Sequence, residues 1–240
     1  MKQTALSALV VAGLAGSLFG AALQPAAAET TAKVENLATW DRSALQKGWS
    51  ARALLQRDVY GPGGNEIGEV EDILVGPDNK IRGIIVETNA FLDIGDVHAE
   101  VAWDKVSAGP EADSVSIPLT KETLENWYID RDDRNVKRAW RVDELIGDTV
   151  SLKDVRGYGY VDDVIFNDNG EIVSVIVSAR YGGRYGYGAG YGVGPYAYPF
   201  YGYNYGWTPG LGYYNLPYGR TEIADYEPYR YERKGPFQNR

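Results

Sequence analysis

Trp49 to Glu87 reads WSARALLQRDVYGPGGNEIGEVEDILVGPDNKIRGIIVE, and Trp140 to Ser178 reads WRVDELIGDTVSLKDVRGYGYVDDVIFNDNGEIVSVIVS. Laid over one another they need no gap and stay in step at a spacing of 91 residues. Trp49 falls on Trp140, Leu54 on Leu145, Val59 on Val150, Gly68 on Gly159, Val70 on Val161 and Asp72 on Asp163. Ile81 falls on Ile172, and the pair Ile85 and Val86 on Ile176 and Val177. A constant offset over so long a run identifies two copies of one structural unit.

Each copy reads as β structure. IGEVEDILVG and KIRGIIVET are apolar runs with partial alternation, divided by the turn residues Gly76 to Asn79. In the second copy YVDDVIFN and EIVSVIVSA flank Asp168, Asn169 and Gly170, and Asn-Gly between two such runs predicts a hairpin with a type I′ turn. RALLQRDVY and VDELIGDTV supply a first strand upstream of each hairpin, and HAEVAWDKV and SVSIPL two further strands after the first. Thr120 is placed to cap a helical turn over TKETLENW. Short strands at this spacing fit small barrels better than an open sheet.

DVYGPGGNEIGEVEDILVGPDNKIRGIIVET followed by VAWDKV resembles the PRC-barrel, the small barrel of the photosynthetic reaction centre H subunit and of the carboxy-terminal half of ribosome maturation factors. The resemblance extends over Trp49 to about Trp127 and again over Trp140 to Arg180. It implies an all-β chain of two small PRC-like barrels in tandem. It also implies a binding and assembly module with no shared catalytic residues.

The amino terminus has Lys2, an apolar run from Ala5 to Leu23, and then Pro25 and Ala26 to Ala28, the layout of a secretory signal peptide over residues 1–28. The expected location is therefore the periplasm, with no stable membrane span after cleavage. There is no cysteine, which excludes a lipidated Cys anchor, disulfides and a thiol nucleophile. Removing Lys2 with the signal takes the formal charge from −9 to −10, which argues against nucleic acid as a partner. The expected domains are a first barrel at 45–128, a charged linker YIDRDDRNVKR centred on 129–138, and a second barrel at 139–234.

Twelve of the nineteen tyrosines lie between Tyr181 and Tyr218, interleaved with glycine and proline. By position the run is a Tyr/Gly-rich loop inserted in the second barrel at 181–213, where the first copy has only FLDIGDVHAEV. Tyrosine offers a large amphipathic face at low entropy cost, so Tyr187, Tyr191, Tyr196, Tyr198, Tyr201, Tyr203, Tyr205 and Trp207 form the expected binding surface. Its partner would be an envelope protein or polymer, or a second copy of the chain. A flexible filler loop, and aromatic residues folded back over a barrel face with Phe200, are the competing readings.

Catalytic chemistry finds little support. His98 is the only histidine, no G-x-S-x-G frame accompanies Ser107 or Ser114, and a lone polar His at a strand entry reads as exposed. Neither a metal site nor any cofactor is expected. Glu69, Glu71 and Asp72, with Asp162 and Asp163, offer an ion-binding or acid-base alternative. Strict alternation would place Glu71 and Asp72 on opposite faces, and Asp72 and Asp163 are expected to brace a turn inside each barrel. Asp168 to Glu171 lacks the spacing of a calcium loop. The reading reached is a non-catalytic binding or scaffolding module of the bacterial envelope.

Overall fold

The structure is a computed structural model that describes residues 33–88, 97–110, 114–125, 139–179, 195–203 and 205–230. The signal-peptide region, the whole of the charged linker at 129–138, and Tyr187 and Tyr191 lie outside the described residues. Among those described, no helix is long and apolar enough to cross a membrane.

The first copy supplies β1 (Trp49–Ser50), the short helix α1 (Ala51–Leu54), β2 (Asp58–Tyr60), β3 (Glu66–Val75), β4 (Ile81–Thr88), β5 (Val97–Ala102), β6 (Ser107–Ala108), β7 (Val115–Ser116) and α2 (Lys121–Glu125). The second supplies β8 (Trp140–Arg141), β9 (Thr149–Ser151), β10 (Gly159–Phe166), β11 (Ile172–Ala179), β12 (Pro195–Pro199) and β13 (Tyr213–Asn215). One sheet runs β5-β4-β3-β2-β7-β6 and the other β12-β11-β10-β9-β13.

The pairings repeat with the sequence. Val59 lies opposite Gly68 as Val150 lies opposite Gly159, and Val70 opposite Val86 as Val161 opposite Val177. The parallel contact of β7 on β2 is matched by that of β13 on β9. At Gly68 and Gly159 a Cβ would collide with the backbone carbonyls of Glu87 and Ser178 respectively, so the shared glycine marks a close approach of two strands.

Three expectations are corrected. Among the described residues the sheets are open paths and do not close into two barrels, since β6, β7 and β13 are two or three residues long and provide no ladder back to the far edge. The hairpin turns are not type I′, since only Asn79 in one and Gly170 in the other has positive φ. Nor are the copies separate. β1 pairs with β10 of the second copy, Trp49 against Phe166 and Ser50 against Ile165. β8 pairs with β3 of the first, Trp140 against Val75 and Arg141 against Leu74.

These exchanged strands are equivalent under the repeat, so the two halves are related by a local pseudo-twofold. Lys80 and Glu171, equivalent to one another, meet in an isolated bridge, with Lys80 Nζ 3.0 Å from Glu171 Oε1. A single hydrophobic cluster runs through both sheets, from Val70, Ile84 and Val86 to Val161, Val175 and Val177. Trp49 and Trp103 meet edge-on at 5.1 Å, and both indoles donate to Asp168, at 2.7 Å to Oδ1 and 3.0 Å to the carbonyl.

Asp72 and Asp163 do brace the chain, but across the halves. Asp163 is buried, with Oδ2 accepting from Ser50 Oγ at 2.5 Å and Oδ1 from Arg52 N at 2.9 Å. Asp72 Oδ2 lies 3.4 Å from Arg141 Nη1, and its Oδ1 accepts from Asp143 N at 3.4 Å. Burial pushes the Asp163 carboxyl up to about 6, against hydrogen bonds from Ser50, Arg52 and Val164 that favour the ionised form.

Asp148 is also buried, and its Oδ2 has no hydrogen-bond partner among the described residues. Burial first, and then the charge of Glu144, push it up to about 6. A carboxyl with a raised folded pKa keeps a proton that the unfolded chain releases near pH 4. Its stabilising contribution is therefore full below about pH 4 and is lost as pH rises through about 6. Asp148→Asn, neutral throughout, should raise stability at pH 7.5 by on the order of 1 kcal/mol and leave it unchanged near pH 4, read by thermal unfolding at both values. Gly159→Ala should lower stability by about 2 kcal/mol in urea unfolding, through the collision with the Ser178 carbonyl.

Candidate functional site

The segment read as an insertion begins differently from that expectation. Pro195–Pro199 forms β12 on β11, in the place β5 holds on β4. Tyr198 lies opposite Val175 as Val101 lies opposite Ile84, and Tyr196 opposite Val177 as Ala99 opposite Val86. The second copy thus fills with tyrosine the core positions that the first fills with alanine and valine. Proline and glycine argued against a strand here, yet β12 ends its sheet, where proline is tolerated.

Tyr196, Tyr198, Tyr201 and Trp207 are consequently buried and are not the free surface expected of them. The hydroxyls of Tyr198 and Tyr201 are met from within, whereas the Trp207 indole N–H has no hydrogen-bond partner among the described residues. Tyr158 and Tyr198 share a hydrogen bond at 2.8 Å between hydroxyls, and Tyr201 and Tyr218 another at 2.6 Å. Tyr218 Oη donates to the Glu35 carbonyl at 2.9 Å, and Tyr214 Oη accepts from Tyr201 N at 2.6 Å. Tyr226 Oη donates to the Ala197 carbonyl at 2.7 Å, while Arg42 lies 5.1 Å from its ring centroid. The reading in which aromatic residues fold back over a hydrophobic face describes this part of the run, the face being that of an open sheet.

Tyr203 and Tyr205 stay partly exposed, at 36% and 38%. Tyr203 lies on Trp140 at 4.3 Å, and its N–H donates to Asn79 Oδ1 at 2.7 Å, which pins it at the junction of the halves. A better aromatic face lies on the sheet itself. Tyr160, Thr149 and Tyr213 are consecutive partners across β10, β9 and β13, so their side chains share one face. Ser178 and Pro195 continue that row to the other edge. Tyr160 and Tyr213 are exposed, at 37% and 41%. Neither was singled out from sequence, because Tyr160 stands alone in its run and the row appears only once register is known.

The equivalent row of the first copy is His98, Glu87, Glu69 and Asp58 across β5, β4, β3 and β2. Glu71, two residues after Glu69, shares its face, and the irregularity that follows in β3 turns Asp72 to that face as well. Pairing passes from Val70 opposite Val86 to Asp72 opposite Ile85, leaving Glu71 as the extra residue and breaking the alternation that would have separated it from Asp72. Arg141 Nη1 reaches both acids, at 3.1 Å from Glu71 Oε1 and 3.4 Å from Asp72 Oδ2.

His98 is buried rather than exposed, its Nδ1 2.6 Å from Glu71 Oε2. Donor atoms of Glu71, Glu87 and His98 lie within 4.8 Å of one another. Burial raises the Glu71 pKa, but the Arg141 hydrogen bond and the charges of His98 and Arg141 outweigh it and hold the carboxyl below its usual range. Burial and the neighbouring Asp143 push Asp72 up to about 7.

The buried hydroxyls of Tyr198, Tyr214 and Tyr218 are held protonated far above the ordinary tyrosine range, each chiefly by burial. Spectrophotometric titration of the folded protein to pH 12 should show at least three fewer tyrosinates than titration in guanidinium. Equal counts would mean that the tyrosine core is open to solvent.

No curated protein matches the chain. Residues 50–129, about a third of the chain, match the PRC-barrel domain family, and this span takes in β2 to β7 and the acid and histidine row.

Proposed function

We propose that the protein is a non-catalytic binding or scaffolding module of the bacterial cell envelope. In this reading it is exported by the signal peptide and built from two PRC-type units, of which the second has diverged beyond the match to residues 50–129. Its contact face is the outward row of the second sheet, centred on Tyr160 and Tyr213, with an envelope protein or polymer as its partner.

One observation carries the reading. Equivalent rows on the two sheets have opposite chemistry, His98, Glu87, Glu69 and Asp58 on one and Pro195, Ser178, Tyr160, Thr149 and Tyr213 on the other. Exposed tyrosines on a rigid sheet give an amphipathic surface whose side chains lose little entropy on contact. Leu211, exposed at 54%, lies two residues before Tyr213 and extends the apolar character of that edge.

A photo-crosslinking residue placed at Tyr160 or Tyr213 in intact cells should give a discrete adduct with one envelope component. The same residue at Asp58 or Glu69 should not. Equal adducts from both rows, or none from the tyrosine row, would overturn the proposal, and an adduct of doubled mass would identify self-association.

A further inference from the structure

We infer that Glu71, Glu87 and His98 form a binding site for one divalent first-row transition ion on the outward face of the first sheet. The inference goes beyond the contact face proposed above and rests on a different sheet. Three adjacent strands each contribute one ligand. Glu87 and His98 are direct cross-strand partners on β4 and β5, and Glu71 on β3 shares the face of Glu69, the partner of Glu87 on its other side. The His98 and Glu71 side chains are close to buried, at 8% and 11% exposure, and are held by the sheet instead of by a loop.

Two carboxylate oxygens and one imidazole nitrogen are a donor set for zinc, cobalt or manganese, whereas calcium and magnesium take oxygen ligands. The three donors lie within 4.8 Å of one another, and ligands about 2.0–2.1 Å from a tetrahedral ion are separated by roughly 3.4 Å. To hold an ion the 2.6 Å contact between His98 Nδ1 and Glu71 Oε2 opens by less than about 1 Å, as the ion replaces the proton between them, and donors as far apart as 4.8 Å close by up to about 1.4 Å. Arg141, 3.1 Å from the other Glu71 oxygen, is placed to orient that carboxylate from outside the coordination sphere.

The second copy is an internal control. It keeps the irregularity, between Val161 and Asp163, but has Ser178 and Pro195 where the first has Glu87 and His98. Its remaining acid, Asp162, is ion-paired with Arg52 at 3.1 Å. The stoichiometry is therefore one ion per chain and not two.

The test uses the full chain without a histidine tag, since His98 is then the only histidine and its imidazole signals are unambiguous. One equivalent of Co²⁺ should give visible d–d absorption and should broaden or shift the His98 ring resonances, and Zn²⁺ should compete it away. Glu87→Gln and His98→Ala should each weaken Co²⁺ binding at least tenfold. Ca²⁺ at the same concentration should leave the imidazole signals in place. Unmoved ring resonances with stoichiometric Co²⁺, or wild-type affinity in folded Glu87→Gln, would overturn the site. If His98→Ala fails to fold, the ring resonances and Glu87→Gln still decide the matter.

Discussion

The carboxylate of Asp163 accepts hydrogen bonds from Ser50 and Arg52 in a place with almost no exposure to water, and the rest of the architecture follows from that link. Ser50 lies on the two-residue strand that crosses onto β10, and its own side chain caps α1 by accepting from Ala53 N. A buried carboxylate can be kept only where donors surround it, and here the other half of the chain supplies Ser50 and Arg52 beside the Val164 N–H of its own strand. Asp72 stands in the equivalent position with Arg141 and Asp143. Each half therefore completes a polar site that the other half has buried.

That dependence explains why a sequence with two copies does not yield two barrels. Within each copy the first strand is given away, and the sheets are left as open paths over one shared core. The hydrophobic area that two small barrels would each have had to enclose is pooled, which favours stability because a larger unit buries a greater share of its surface. Pooling also relaxes the demand for symmetry. Once Trp49, Trp103 and Phe166 fill one side of the junction, Trp140, Tyr203 and Trp207 can fill the other with different rings.

Much of this was legible before the structure, and the rest was not for identifiable reasons. The spacing of 91 residues gave the strands and the equivalence of Asp72 with Asp163, because local alternation and turn residues are short-range signals. The exchange of β1 and β8 was invisible, since a two-residue strand has no periodicity of its own. The separation of Glu71 from Asp72 onto opposite faces fails because alternation assumes an unbroken ladder, and the extra residue at that point leaves no mark in composition. His98 read as exposed because its burial depends on a cross-strand neighbour, Glu87, eleven positions away. The tyrosine run was misjudged as a loop to Tyr213 because glycine and proline usually break strands, and only knowledge that β12 ends its sheet removes that objection.

What the two halves are free to change follows from what they must keep. Valines at the centre of both sheets, the glycines at 68 and 159, and the two buried aspartates are tied to the shared core and the exchange, so substitution there disturbs both halves at once. The outward rows carry no such tie. Asp58, Glu69, Glu87 and His98 on one sheet correspond to Thr149, Tyr160, Ser178 and Pro195 on the other, and every one of these pairs has changed its chemistry. The outward rows change in charge and polarity, whereas the inward positions change in size and stay buried, as Ala99 and Val101 do against Tyr196 and Tyr198. The tyrosine-filled core of the second copy belongs to the same logic. Larger side chains at 196 and 198 fill the interior from the edge strand, the Tyr198 hydroxyl meeting that of Tyr158 inside, while Tyr160 and Tyr213 stay exposed on the opposite face.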